Sequence, residues 1–375
     1  MRIARERPFL FGLLISLLLA GPILAGMLFL NWWNTPLGVP LGSSSTQTLQ
    51  PGEIPDTLVP QPTSTRGEPV VTETPTRTPE PTLTPLPSST PAPRAMCGGP
   101  DTQTILVTGV DSGNYIYGLS DAIRIVRVDY VGGRVTVLPL PRDLWVDIPV
   151  SIPGVTEGIT EGKLNQAYFY GSPGMGYYPD EDQSPGLLAK TLELNFNLPV
   201  DRYFSVNTRI FRQMVVQLGG IQVTLPRNVY KHYFDEPVLY LKAGTYHLTG
   251  KQAEMVARHR TLIGDFGRME NQTILLKAFV RKLLTPGGIK QLPELIEIYR
   301  DNVLMDFTPN EISKLLCLAS KIDLGEDIVF LTFPQEMLTE GKIYDEVHDY
   351  KAYALTYDKE EIRQLLADFQ AGAYP

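Results

Sequence analysis

Between Thr72 and Pro93, 16 of 22 residues are Pro, Thr or Ser, and this stretch constrains the chain more than any other feature. It has almost no apolar side chain to bury, and proline removes the backbone donors that helices and sheets need. Such a composition favours extended, polyproline-like chain. Most of the excess among the 32 prolines lies before residue 100, so residues 35–96 read as a disordered Pro/Thr/Ser-rich linker. Fully extended at ~3.1 Å per residue, a linker of ~60 residues reaches well over ~100 Å. Folded structure is therefore expected to begin near Cys97.

On the other side of the linker, Phe9–Leu30 forms a run of 22 residues without a charge, long enough to cross a hydrocarbon core of about 30 Å as a helix. Arg2, Arg5 and Arg7 precede it and no basic residue follows until Arg66. The positive-inside rule then places the N-terminus in the cytoplasm and everything after Trp33 outside. Trp32 and Trp33 suit an interfacial anchor. A cleaved signal peptide is the competing reading, given the small residues near Ala25, but the apolar run exceeds the usual signal core of about 7–15 residues. Residues 1–34 are thus expected to be a cytoplasmic N-terminus and a single transmembrane helix, with the lipid bilayer as partner through residues 9–30.

Charge divides in the same place. Acidic and basic residues balance within residues 1–100, so the net charge of −8 belongs to residues 101–375. An acidic body argues against nucleic acid as a partner, and any phosphate site must be a local basic pocket. Cys97 and Cys317 are the only cysteines. In an oxidising exterior compartment an isolated pair is expected to form a disulfide rather than a metal site.

After Cys97 strand and helix signals alternate. Thr104–Val110 and Ile123–Val131 read as strands, and Gly132-Gly133 turns the second into Arg134–Leu140 as a hairpin. Residues 151–186 read as mostly loop. Leu187–Phe196 reads as a helix, Arg202–Val206 as a strand, Thr208–Leu218 as a helix and Ile221–Leu225 as a strand. Thr249 caps a helix running towards Arg260, and a helix over Arg268–Leu284 is stopped by Pro286-Gly287-Gly288. This mixture predicts an α/β fold with a mixed central sheet flanked by helices, occupying residues 97–285. Residues 286–375 read as a helical extension packed on it, with helices at Leu292–Tyr299, Asn310–Ala319 and Lys359–Phe369 and a strand at Ile328–Phe333.

Familiar catalytic motifs are missing: the sequence has no HExxH, GxSxG, Walker A loop or CxxC, and His232, His247, His259 and His348 are scattered. What remains is acid and arginine at element ends. Asp111 follows the first strand and Asp121 opens the second, so both carboxylates fall at one edge of a sheet, where a pair with waters can hold Mg²⁺ beside a phosphate. Taken alone, Asp after a strand is more often a turn or capping residue. Arg142-Asp143 ends the hairpin, Lys163 punctuates a loop, and Arg258-His259-Arg260 is followed by Asp265, Arg268 and Gln272. Arginine forks suit diphosphate oxygens bidentately, although each cluster alone is equally a solvated basic face.

The ordered series is more specific than its parts. Gly-Val-Asp (109–111), Ser-Asp (120–121), Pro-Arg-Asp (141–143), Lys-Leu-Asn (163–165), Gly-Gly-Ile (219–221), the Gly-Thr-Tyr-His-Leu-Thr-Gly run (244–250), Arg-His-Arg (258–260) and Asp-Phe-Gly-Arg (265–268) resemble the catalytic domain of the LytR-CpsA-Psr family over roughly residues 101–285. The resemblance implies a phosphotransferase of the bacterial cell membrane whose catalytic domain is extracytoplasmic. It would move a glycopolymer from a polyprenyl-pyrophosphate carrier to a hydroxyl of peptidoglycan or another wall glycan. It implies Asp111 and Asp121 as Mg²⁺ ligands, and Arg142, Lys163, Arg258, Arg260, Arg268 and Gln272 as pyrophosphate-binding residues. Asp111, Asp121, Arg142, Asp143 and Asp265 would be catalytic. An apolar cleft for the polyprenyl tail is implied too, with Phe204–Val206 and Ile274–Phe279 as candidate lining. Two positions depart from the family pattern, Leu119 and Asn271, where the family usually has arginine. A hydrolase of the same lipid-linked glycan and a non-catalytic polyprenyl-lipid or wall-binding protein are the alternatives.

Overall fold

Alternating apolar side chains from residue 102 onwards build strands whose two faces are both covered. The computed structural model describes residues 29–42, 94–233, 236–299 and 302–374. The expected membrane span, apart from its last two residues, and most of the expected linker lie outside the described residues. Residues 29–34 are helical, and among the described residues no helix is long and apolar enough to cross a membrane.

A 3-10 turn at Met96–Gly98 leads into β1 (Thr102–Val110), β2 (Ser120–Asp129) and β3 (Arg134–Leu140), an antiparallel meander turned by Gly132-Gly133 as the sequence suggests. Gly133 has φ +67°, a conformation that costs a residue with a Cβ. Then follow β4 (Trp145–Ile148), β5 (Thr160–Lys163), α1 (Leu164–Tyr170), α2 (Gln183–Phe196), β6 (Arg202–Asn207), α3 (Thr208–Gln217) and β7 (Ile221–Leu225). Residues 151–186, expected as loop, thus contain a strand and a helix and open α2. The β4–β5 pairing is only four residues long, too short for a periodic signal.

The chain continues through β8 (Val229–Tyr233), β9 (Glu236–Leu241), β10 (Gly244–Leu248), α4 (Gly250–Arg258) and α5 (Gly264–Leu283). Thr249 caps α4, its hydroxyl accepting from the Gln252 amide while the Gln252 side chain accepts from the Thr249 amide. Last come α6 (Pro286–Tyr299), β11 (Leu304–Met305), α7 (Pro309–Ala319), β12 (Ile328–Phe330), β13 (Leu338–Asp345), β14 (Tyr350–Tyr357) and α8 (Lys359–Ala371).

The central sheet runs β11-β6-β1-β2-β3-β12, with β6 parallel to β1 and β12 parallel to β3. It is mixed, as expected. The expected helical extension is corrected: β11 and β12 are both edges of the central sheet, so residues beyond 286 complete that sheet rather than decorate it. Those strands have two and three residues; β12 falls within the expected strand Ile328–Phe333, and β11 is visible only through its partner β6. Cys97 and Cys317 form a disulfide across a sequence separation of 220 residues, with Cα atoms 5.9 Å apart, tying the start of the domain to α7.

Leu106, Ile123 and Leu138 point to one face of the sheet, beneath α1, α2 and α8. Ile105 and Val128 point to the other, beneath α3, α6 and α7. That second face is incompletely covered: Val107, Val126, Phe204 and Val206 lie mid-sheet yet only half-buried, facing Phe279 and Met214. The start of the expected linker is also corrected. Residues 35–42 dock on the domain, with the Leu37 amide donating to the Phe307 carbonyl (2.9 Å), the Tyr203 hydroxyl to Val39 (2.8 Å) and the Gly42 amide to Asp182 (2.7 Å).

Candidate functional site

The loop between β1 and β2 is closed by Leu119. Its carbonyl accepts from the amides of both Asp111 (3.0 Å) and Asp121 (3.1 Å), and its own amide donates to Asp111 Oδ1 (2.9 Å). Leu119, which replaces an expected arginine, therefore contributes backbone that sets both carboxylates at one end of the sheet. Arg142 reaches the same end from the tip of β3, and Asp265 and Arg268 from the first turns of α5.

These groups form a closed ring of charge. Asp121 Oδ1 accepts from Arg142 and Asp121 Oδ2 from Arg268 at 2.8 Å; Asp265 Oδ1 lies 3.2 Å from Arg142 Nε and 2.6 Å from Arg268 Nη2. Each carboxylate thus bridges both guanidinium groups. Asp143 continues the network, 3.5 Å from Arg142 and 2.9 Å from Lys163 Nζ. Burial pushes the Asp121 carboxyl up, but Arg268 and Arg142 together outweigh it and hold the group below its ordinary range. At Asp265 burial prevails over the same arginines and raises it. Asp111 is also raised, by burial and by the neighbouring Asp121 charge, against the Leu119 amide.

Arg124 was not among the expected site residues. It sits on β2 with 4% exposure and donates to the carbonyls of Ile123 (3.0 Å) and Met269 (3.2 Å) and to Gln272 Oε1 (3.2 Å). Burial, aided by the Arg268 charge, lowers it to about 10. No carboxylate pairs with it among the described residues, so an uncompensated cation lies one layer behind the ring. An arginine inside the run IRIVRV was the available signal, since charge in a strand covered on both faces demands a reason. Gln272, expected in the clamp, holds this arginine instead.

Other expected residues take different places. Arg258 and Arg260 are exposed at the mouth, Arg258 reaching only Glu254 at 3.7 Å; their charges nevertheless act on Asp111 and Asp121. Between them His259 is buried and its Nε2 accepts from the Tyr230 amide at 3.0 Å, which alternates the two arginines outward. Asn271, the second departure, is buried at 1% exposure against His259. Lys163 belongs to the Asp143 side and touches neither Asp121 nor Asp265.

The arrangement can bind a doubly charged anion. Arg268 is 2% exposed and its Nε has no hydrogen-bond partner among the described residues, an expensive state for a guanidinium unless an acceptor arrives. Among the described residues no three or more His, Cys, Asp or Glu side chains converge as a metal cluster. A divalent cation would rest on Asp111 and Asp121 with substrate and water oxygens, which is the usual manner for Mg²⁺ beside phosphates; the two carboxylates fit that role.

A layered mixed sheet with an arginine-carboxylate ring at its edge places the chain among α/β proteins that carry a charged site at the ends of their strands. The pattern of the LytR_cpsA_psr family matches residues 88–365, and the chain belongs to this LytR-CpsA-Psr family. It is 27% identical over 217 residues to an Enterococcus faecalis protein named polyisoprenyl-teichoic acid–peptidoglycan teichoic acid transferase TagU, covering 56% of this chain and 64% of that one. The chain therefore spans under two thirds of that relative. It is 26% identical over 268 residues to the regulatory protein MsrR of Staphylococcus aureus, covering 71% of this chain and 73% of the relative. Among solved structures, B. subtilis TagV superposes with a TM-score of 0.54 at 24% identity, covering 73% of this chain and 98% of that one. TagT bound to LIIa-WTA gives 0.51 at 21% identity, with 72% and 90% covered. These likenesses establish the mixed α/β fold.

Proposed function

We propose that the chain is an extracytoplasmic phosphotransferase that moves a glycopolymer from a polyprenyl-pyrophosphate carrier to a hydroxyl of the bacterial wall glycan. The observation that carries this reading is the ring of Asp121, Arg142, Asp265 and Arg268, backed by unpaired Arg124. Four cationic groups (Arg124, Arg142, Arg268 and Lys163) stand with four carboxylates (Asp111, Asp121, Asp143 and Asp265), and exposed Arg258 and Arg260 tip the balance to positive at the mouth. A diphosphate satisfies the buried guanidinium groups that the carboxylates only partly satisfy. The half-buried Val107, Val126, Phe204 and Val206 support an apolar tail lying on the open face of the sheet. The names of the relatives, which include teichoic acid transferases, point the same way.

In this reading Arg142 and Arg268 bind the diphosphate and stabilise charge on the transferring phosphoryl group. Asp111 and Asp121 would hold Mg²⁺, which supplies further charge neutralisation. The acceptor hydroxyl forms the new P–O bond, the bond to polyprenyl phosphate breaks, and the hydroxyl proton passes to a carboxylate. Asp111 and Asp265, whose proton affinity burial raises, are the acceptors the site offers. The apolar run 9–30 would anchor the chain in the cell membrane, and the Cys97–Cys317 disulfide suits an oxidising exterior.

The test is incubation of the full chain in detergent micelles with a polyprenyl-pyrophosphoryl oligosaccharide, Mg²⁺ and peptidoglycan fragments, with products followed by mass. A glycan–peptidoglycan phosphodiester is expected. Free phosphorylated glycan would make the protein a hydrolase, and lipid binding without turnover would make it a carrier-binding protein.

A further inference from the structure

Beside the charge ring, three elements bring aromatic rings and a cation together. Trp145 and Lys163 are direct partners in the β4–β5 ladder and so project to one side of it. Lys163 Nζ lies 5.9 Å from the centroid of the Tyr353 ring on β14. The hairpin carrying Tyr353 is fixed to the site by backbone, the Leu355 amide donating to the Asp143 carbonyl at 2.9 Å. Its turn is fixed by the buried carboxylate of Asp345, which accepts from Gln166 (2.9 Å) on α1, and Gln166 also receives the Lys163 amide (2.5 Å). Partial burial, with Glu340, Asp143 and Asp265 nearby, pushes the Tyr353 hydroxyl up to about 12, which places that ring within the field of the site carboxylates.

The hairpin is rigid, yet it leaves its rings in water. Tyr344 is 51% exposed and Tyr353 40%. The register pairs Tyr344 with Lys351 and Lys342 with Tyr353, so two tyrosines and two lysines share one face of the β13–β14 ribbon, with Glu340 on the same face beside Tyr353 and the Tyr344 hydroxyl donating to Asp349. Large rings held open on a braced surface next to a reaction centre need a partner to cover them. The lysines fit a partner with carboxylates, and flat rings fit the apolar C–H faces of pyranose sugars.

We infer that Trp145, Tyr353 and Tyr344, with Lys342 and Lys351, form a binding platform for the acceptor: a polysaccharide strand bearing carboxylates, laid along the β13–β14 ribbon so that a sugar hydroxyl reaches the ring at Arg142. The inference rests on the transferase reading for its direction, but binding of the glycan can be measured without transfer. The face is continuous with the site through Lys163 and Asp143, whereas the apolar face of the sheet lies on the other side of the strands' ends and serves the carrier.

The experiment uses the full chain and a soluble N-acetylglucosamine–N-acetylmuramic acid oligosaccharide as probe. Binding is followed by tryptophan fluorescence, and transfer kinetics are run with acceptor and donor varied separately. Tyr353→Ala is expected to weaken oligosaccharide binding and raise the acceptor KM about three- to tenfold, with the donor KM unchanged and Tyr353→Phe close to wild type. Tyr344→Ala, on the open ribbon, should act in the same direction and keeps the question answerable if Tyr353→Ala misfolds. Wild-type binding and acceptor KM in both alanine variants would overturn the platform. A rise in donor KM alone would overturn it too, by assigning the surface to the donor's sugars. If the chain binds the oligosaccharide through Tyr353 but transfers nothing, the platform stands and the transferase reading fails.

Discussion

Two of the regions in which this protein buries carboxylates set Asp121 and Asp306 on opposite sides of their ordinary range. At the edge of the sheet Asp121 is engaged through both oxygens by arginines and is held below its ordinary range. At the docked segment 35–42, Asp306 accepts from the Tyr203 amide at 2.8 Å, and Asp182 from the Gly42 amide. Asp306 Oδ2 and Asp182 Oδ1 are buried without a hydrogen-bond partner among the described residues. Burial raises both groups, Asp306 to about 6, even though Arg202 and backbone amides oppose it. With Arg258 and Arg260 at its mouth the first region gathers more cations than its own acids require, which suits a site for an anion. The second uses carboxylates as anchors for backbone, a task a neutral acid performs nearly as well.

Removing a member of the ring should have the largest effect. Arg268→Ala leaves Asp121 and Asp265 each short of a buried partner; a loss of about 3–5 kcal/mol in stability is expected, read by denaturant unfolding. Transfer should fall below detection in the same variant. Arg124→Met should destabilise less, because an apolar residue of similar volume replaces an unpaired buried charge, while the affinity for the diphosphate donor should drop about tenfold or more. Donor affinity unchanged in Arg124→Met would remove the argument that the excess cation serves the ligand.

The anchor region should respond to pH in the opposite sense from Asp121. The folded Asp306 holds its proton to about pH 6 while the unfolded chain releases it near the ordinary aspartate value of 3.8. Between those values the folded state binds more protons, so stability from this group is greatest below about pH 4 and is lost as pH rises towards 6. The full difference is roughly 2–3 kcal/mol. Asp306→Asn should remove that slope, so the stability gap between wild type and variant should change with pH only across this window. A gap independent of pH would show that Asp306 is ionised in the folded state, like Asp121.

The sequence made some of this comparison readable. Asp121, Arg142, Asp265 and Arg268 were readable as a set only through the ordered series that resembles the family, since each alone at the end of an element reads equally as a turn, a cap or a solvated face. The anchor region was illegible: residues 35–42 have no period, and their partners Met305 and Phe307 lie some 260 residues away. β11 failed for the same reason, since an edge strand of two residues acquires its identity from a neighbour, whereas β12 falls within the expected strand Ile328–Phe333. Arg124 was overlooked because polar residues in a strand ordinarily mark the solvent face. Lys163 was assigned to the diphosphate through the family resemblance, and its 2.9 Å contact is with Asp143, a pairing that the spacing of the two residues did not announce.

The docked segment offers a smaller effect that still separates the two regions. A Cβ added at Gly38 would collide with the Met305 carbonyl, and backbone cannot yield as a flexible side chain does. Gly38→Ala should therefore loosen residues 35–42, raising hydrogen exchange at the Leu37 and Gly42 amides and lowering stability by about 1–2 kcal/mol. The ring shares no hydrogen bond with this segment, so the donor KM should stay at the wild-type value. A changed donor KM would mean that the anchor and the ring are coupled, through β6 and its neighbour β1, and that the segment leading in from the N-terminus acts on the site it precedes.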